Sequence, residues 1–360
     1  MKKLKFNKNF ANQLFSNPEN FIDTFGLRYA NDSDLSIHRL PKGKAFYYTY
    51  KGKPIRSETV ISRINALVIP PAWLGVKIAY TENSHIQAVG RDAKNRKQYK
   101  YHVKWTALRN QTKFYKMFLF GKHLPNIREK VDIDLNQPQW NRTKVLALII
   151  RLLEETHIRI GNSYYAKNNK TYGLSTLRSK HLHLFGNKMK FEFVGKKGKE
   201  HSVTIRNKKL IKLVNKCEEI PGWELFKYYD EFGEKHTIDS SMVNEYLQSI
   251  SGELFSAKDF RTWSASLIAF KNLMSAGIEK DSNKNQKNII AAIDEASQAL
   301  GNTRNVSRKY YVHPKILQDY SDGSIKTSFN KAISITTCDK NFSETEMALM
   351  SLIENYQPTV

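Results

Sequence analysis

The chain has 360 residues, enough for two domains with proper cores, and its 40% hydrophobic content argues against wholesale disorder. Lysine and arginine number 58 against 34 aspartate and glutamate, a net charge of +24. That excess favours a polyanionic partner, with nucleic acid ahead of an acidic membrane surface.

The opening MKKLKFNKNF has the basic end of a signal peptide but no apolar stretch behind it. The first hundred residues have mainly strand character. Phe46 to Tyr50 is rich in sheet formers, and Lys51-Gly52-Lys53-Pro54 supplies a turn after it. Pro70-Pro71 stops any helix begun after that turn. Val76 to Tyr80 and His85 to Val89 follow as strands around a polar Thr-Glu-Asn-Ser turn. Arg91 to Lys104 then interleaves cations with Tyr99, Tyr101 and His102. A charge run alone is usually solvated surface, but aromatics alternating with cations suit packing on sugars or bases while the cations hold phosphates.

The period changes from Val103 onward. Helices are expected over 142–155, 208–217, 241–250, 264–275 and 285–300. Met189 to Ile205 instead alternates, turns at Gly195 to Gly198 and returns, which predicts a β-hairpin with a lysine-loaded tip (Lys196, Lys197, Lys199). After Tyr320 the chain is polar until a last amphipathic helix at 343–355. The fold expected is α+β: a sheet-rich N-terminal domain (1–105), a mostly helical domain with an inserted hairpin (106–325), and a tail and helix (326–360).

The longest aliphatic run, Val145 to Ile150, ends at Arg151, far short of the ~20 residues of a membrane span. Cys217 and Cys338 are too few and too far apart for a disulfide framework or Cys-x-x-Cys site, which fits a reducing cytoplasm. Asp132-Ile-Asp134 is a possible metal pair but more simply a solvated loop, and His181-Leu-His183 offers two ligands on one strand face without a third. No phosphate-binding Gly-x-x-x-x-Gly-Lys-Ser/Thr loop is present.

Four short strings carry the chemistry. They are His-Ile-Arg-Ile-Gly-Asn (157–162), Phe-Val-Gly-Lys-Lys-Gly-Lys (193–199), Ala-Lys-Asp-Phe-Arg-Thr-Trp (257–263) and Leu-Gly-Asn-Thr-Arg-Asn-Val-Ser-Arg-Lys-Tyr-Tyr (300–311). Any one Arg, Lys, Asn or Tyr in them is most often a surface, cap or packing residue. Together they supply a phenol nucleophile, two guanidiniums for non-bridging phosphate oxygens, an amide N–H and an ammonium able to protonate a departing oxygen.

These strings resemble those of type IB DNA topoisomerases, in the small form found in bacteria and poxviruses. Arg159 stands in the family's Arg-x-Gly string, Lys196 in its Val-Gly-Lys hairpin and Arg261 in its Lys-Asp-x-Arg-Thr string. Tyr311 follows Asn302-Thr303 at nine positions, which the resemblance favours over Tyr310. Poxvirus members have histidine where this chain has Asn302, whereas bacterial members often carry asparagine. Gly90-Arg91-Asp92 and Gln98-Tyr99-x-Tyr101 look like the family's major-groove segment.

The resemblance, covering roughly residues 25–315, implies a cytoplasmic, nucleoid-associated, monomeric enzyme that closes as a clamp on double-stranded DNA. It implies strand cleavage through a 3′-phosphotyrosine, swivelling and religation, without ATP, metal or other cofactor. The site expected is Tyr311, Arg159, Lys196, Arg261 and Asn302 for catalysis, with Arg91, Gln98, Tyr99, Tyr101, Tyr165 and Lys258 as DNA contacts. A tyrosine recombinase would use similar chemistry. Recombinases, however, generally show His-x-x-Arg where this chain has Lys258-x-x-Arg261, and place a helical domain first. A non-catalytic basic DNA-binding protein would explain the charge but not all five residue types.

Overall fold

The computed structural model describes Gln13, Ser16, Glu19 and residues 22–43, 45–335 and 339–357; Cys338 lies outside them. The chain forms two compact units that divide between Lys116 and Met117.

In the first unit, six strands form an antiparallel sheet: β1 (Ile37–Lys42), β2 (Ala45–Tyr50), β3 (Lys53–Pro54), β4 (Leu74–Ile78), β5 (Ile86–Arg91) and β6 (Lys97–Tyr101). Their spatial order is β3-β2-β1-β4-β5-β6. Helix α1 (Glu58–Ala66) ends before Pro70-Pro71 and adds Ile64 to a core of Ile37, Val76, Ile78 and Ala88. Arg63 ties that helix to the sheet by donating to the Ala79 carbonyl at 2.7 Å.

The sequence-based strands are all present. Successive β6 side chains point to opposite faces, so Tyr99 and Tyr101 share one face and stack 5.7 Å apart. Gln98 points to the other face, where its amide donates to Asp92, and Arg91 donates to the Asn95 carbonyl.

A 33-residue helix, α2 (Val103–Leu135), runs across the division. Its buried positions Met117, Phe120, Leu124, Ile127, Val131 and Leu135 recur every three or four residues, a helical signal that Gly121 and Pro125 interrupt. Gly121 is required by close packing, since a β-carbon there would stand 2.6 Å from the Trp263 ring. The Asp132–Asp134 pair, expected in a solvated loop, lies on this helix instead. Arg151 pairs with Asp132 at 2.6 Å, and the fully buried Asp134 accepts from Tyr246 and Lys130, both at 2.8 Å.

The rest of the second unit is largely helical: α3 (Arg142–Thr156), α4 (Ser163–Asn169), α5 (Lys208–Glu218), α6 (Ser240–Ser251), α7 (Ala257–Ala276), α8 (Ser282–Leu300), α9 (Arg304–Tyr310), α10 (Pro314–Asp322), α11 (Lys326–Ser334) and α12 (Glu344–Ile353). Six match expected spans, α12 among them, although α7 starts earlier and takes in the Lys-Asp-Phe-Arg-Thr-Trp string. Helix α11 lies where a polar tail was expected, and the buried Ile325 and Phe329 join its region to the core.

The predicted hairpin is β8 (Lys188–Val194) and β9 (Glu200–Ile205), completed to three strands by β7 (Leu182–Phe185). Met189, Phe191 and Phe193 alternate into the core. A separate small hairpin pairs β10 (Lys227–Tyr229) with β11 (Lys235–Thr237).

The two histidines expected on one strand face are separated. His181 is buried in a 3-10 turn, its Nδ1 accepting from the Arg178 N–H, while His183 on β7 lies 3.4 Å from Glu192. Among the described residues, no three His, Cys, Asp or Glu gather as a potential metal cluster, and no helix is long and apolar enough to cross a membrane.

Candidate active site

Helix α3 ends on His157 in the left-handed conformation, φ 54°, which turns the chain into the Arg-Ile-Gly string. That string docks on residues 173–175: Leu174 N–H donates to the Arg159 carbonyl at 2.8 Å, and Ser175 N–H to that of Ile160 at 2.7 Å. The approach explains the glycine. Gly161 has φ +99°, and a β-carbon on it would meet the Thr176 hydroxyl at 2.7 Å. The half-buried Arg159 then sends Nη2 to the Asn302 Oδ1 at 2.5 Å, across 143 positions of sequence.

Arg261 lies in the first turns of α7, which opens with a capping box between Ser256 and Asp259. Only 4% exposed, it is held by two backbone carbonyls: Nη1 donates to His157 and Nη2 to Leu300, the latter at 2.9 Å. Burial, then the neighbouring Arg159, lower its pKa to about 10, so it keeps its charge at neutral pH. Neither guanidinium meets a carboxylate among the described residues. Two close cations in a poorly hydrated place repel each other unless an anion joins them.

Tyr311 follows α9 and is half-buried, with its ring centroid 5.5 Å from the Arg261 Cζ and its phenol in hydrogen-bonding reach of that guanidinium. Its backbone is clamped from α7, where Ser266 Oγ donates to the Tyr311 carbonyl at 3.1 Å and accepts from His313 N–H at 3.0 Å. One helix therefore carries a guanidinium and sets the carbonyl of the phenol-bearing residue. Tyr310 differs in surroundings, with the Lys309 ammonium 5.4 Å from its ring centroid.

Asn302 follows Gly301, the left-handed cap of α8. Because arginine can only donate, the Arg159 contact orients the amide with oxygen inward and leaves Nδ2 as the free donor. That Nδ2 is buried without a hydrogen-bond partner, as is the Arg261 Nε. Buried donors left unmade are expensive. Two of them beside paired guanidiniums mark a place for an oxyanion.

Lys196 lies at the hairpin tip between Gly195 and the left-handed Lys197, φ 66°. Partial desolvation, then Arg159, lower its ammonium below the ordinary lysine value, opposed by Tyr311. Its exposure tempers the effect, but it lies within electrostatic reach of the Tyr311 phenol and the Arg159 guanidinium. Exposed Lys258, on the first turn of α7, adds to the same positive field. Tyr165 on α4 is 43% exposed and packs edge-on against Tyr164. Arg91, Gln98, Tyr99 and Tyr101 belong to the first unit.

Three contributors escaped sequence analysis: His157, Ser266 and His201. Their roles arise from contacts across the fold. His157 and His201 are both lowered from 6.5 to about 4, first by burial and then by Arg261 and Arg159 respectively; burial does the same to His181. In the unfolded chain these groups bind protons near their ordinary value, whereas the folded chain resists them. Stability should therefore be full above about pH 6.5 and fall as pH drops toward about 4. Urea unfolding across that window should show the midpoint declining; a flat profile would contradict these assignments.

Two family models match the chain: "Eukaryotic DNA topoisomerase I, catalytic core" over residues 97–336 and "Bacterial DNA topoisomerase IB, N-terminal domain" over 45–92. It is 34% identical over 295 residues to DNA topoisomerase 1B of Acanthamoeba polyphaga mimivirus, spanning 79% of this chain and 88% of that one. Identity to DNA topoisomerase 1B of Vaccinia virus (strain Copenhagen) is 24% over 261 residues, 69% of this chain and 78% of the relative. A crystal structure of the XerH site-specific recombinase bound to palindromic difH substrate matches 56% of this chain and 50% of that one, at 18% identity. Its TM-score of 0.35 is too low to bear weight. The catalytic-core match over two thirds of the chain and the viral relative together establish that the chain belongs to the type IB DNA topoisomerase family.

Proposed function

We propose that this enzyme relaxes supercoiled double-stranded DNA by reversible transesterification at Tyr311. The phenol oxygen bonds to phosphorus and loses its proton to solvent, while the bond from phosphorus to the 5′ oxygen breaks. The products are a 3′-phosphotyrosine and a 5′ hydroxyl. Lys196 donates the proton taken by the departing oxygen. Arg159, Arg261 and Asn302 hold the non-bridging oxygens, where charge grows in the transition state. The observation that carries this reading is the pair of buried, unpartnered donors, Arg261 Nε and Asn302 Nδ2, beside two guanidiniums and the Tyr311 phenol.

One ester replaces another of similar energy, so religation draws on the phosphotyrosine and needs no ATP. The fixed cations take the charge-stabilising role that a divalent ion serves elsewhere. Arg91, Gln98, Tyr99, Tyr101, Tyr165 and Lys258 are proposed to contact the duplex; the +24 charge and the exposed Tyr99–Tyr101 stack support this. A bacterial form acting as a monomer at the nucleoid, in the cytoplasm, agrees with the N-terminal family match, with Asn302 and with all five catalytic groups coming from one chain.

Incubation with supercoiled plasmid in EDTA, without ATP, should yield relaxed topoisomers and, after denaturation, protein linked to 3′ ends. Persistent supercoils without adduct would overturn the proposal. Exchange confined to paired defined sites would favour a recombinase.

A further inference from the structure

Gly195 poses a question that its own backbone does not answer. At φ −97°, ψ −163° it is extended, a conformation open to any residue. A β-carbon there would nevertheless lie 2.6 Å from Cδ2 and 2.7 Å from Nε2 of His201. Glycine at 195 is thus required by the imidazole and not by the turn. The ring is also close to Gly301, where a β-carbon would stand 2.6 Å from its Cε1. It stacks on Phe193 at 5.0 Å and 8°, its cross-strand partner in the hairpin. His201 thus packs at once against the backbone just before Lys196 and the backbone just before Asn302.

We infer that His201 is a positioning residue, whose flat ring seats the Lys196 hairpin against the Gly301–Asn302 turn and so sets the proton donor in register with the phosphate-binding groups. The ring fills a gap between two chain segments and stays uncharged at neutral pH, so it adds no further cation beside Arg159, Lys199 and Arg261. Lysine on a hairpin tip is otherwise held mainly by its own strand ladder. The inference rests on the assignment of Lys196 as general acid.

The test uses the full chain and single-turnover adduct formation at a cleavage site mapped with the wild-type enzyme. The scissile 5′ atom is either oxygen or sulfur, and sulfur leaves without a proton. Lys196→Ala should slow the oxygen substrate by about 10²-fold or more and run near the wild-type rate with sulfur. His201→Ala should show the same pattern, a loss of about tenfold or more on oxygen that sulfur restores. Gly195→Ala should slow the oxygen substrate in the wild-type background, yet cost nothing further beside His201→Ala, because the obstructing ring is gone.

Equal losses on both substrates, no loss in His201→Ala, or additive effects of the two substitutions would overturn the role of His201. Should His201→Ala fail to fold, the oxygen-to-sulfur comparison in Gly195→Ala alone decides, with unequal losses supporting the inference and equal losses overturning it. A Lys196→Ala variant that sulfur does not rescue would instead remove the acid assignment itself, and this inference with it.

Discussion

Tyr311→Phe should form no covalent adduct and relax no supercoils, whereas Tyr310→Phe should retain both. The substitution deletes one oxygen, the only atom proposed to bond to phosphorus, so the loss should be complete at assay sensitivity. The ring, 5.5 Å from the Arg261 Cζ, stays, as does the backbone clamp from Ser266. Folding and duplex binding should therefore survive, as thermal melting and filter binding can check. A sulfur leaving group should not help, because it substitutes for the acid and not for the nucleophile. That sets Tyr311→Phe apart from Lys196→Ala. Tyr310 sits beside Lys309, and removing its hydroxyl leaves the Arg261–Tyr311 pair intact. Adduct in Tyr311→Phe and none in Tyr310→Phe would reassign the nucleophile.

Glu346→Ala should cost about 2–4 kcal/mol of stability, the scale of leaving a buried donor unsatisfied and losing a helix cap. Glu346 is 3% exposed and lies on α12, in a region that sequence analysis treats as tail and helix. Its Oε1 accepts from Arg128 Nη2 at 2.7 Å and from Trp263 Nε1 at 3.1 Å. Its Oε2 accepts from Arg128 Nη1 at 3.1 Å and from both the N–H and hydroxyl of Ser343 at 3.0 Å. Alanine leaves the indole N–H unpartnered, takes from the half-buried Arg128 one of its two carboxylates, and removes the side-chain half of the α12 capping box.

Glu154 still pairs with Arg128, which limits the loss. Burial alone would raise the Glu346 carboxyl, but the Arg128 contacts lower it more, and the net direction is down. The pair therefore contributes fully at neutral pH and fades as acid protonates the carboxylate. Urea unfolding at pH 7 measures the effect, and an unchanged midpoint would refute it. Glu346→Gln keeps the shape and one acceptor and should cost less.

The hairpin was legible because its signals are local: Phe191 and Phe193 alternate inward, and Gly195 to Gly198 turns the chain. Helices α3, α5, α6 and α8 were legible for the same reason, since an apolar stripe repeats within each segment. Helix α2 was harder. Its stripe is regular, but Gly121 and Pro125 interrupt it, and the packing that accounts for Gly121 comes from Trp263 and Met350, far along the chain. The Asp132–Asp134 pair looked like a loop because nothing nearby reveals Arg151 and Tyr246 as its partners.

The five catalytic candidates could be named from residue types in recognisable strings, because phosphoryl transfer draws on a small set of donors and nucleophiles that the strings contain. Their arrangement could not. That Asn302 turns its oxygen to Arg159, that backbone carbonyls of His157 and Leu300 hold Arg261, and that His201 lies between two glycines are all contacts between distant segments. Chemical identity belongs to each side chain and travels with the sequence. Orientation, burial and the unmatched donors exist only once packing has brought those segments together and removed the water between them.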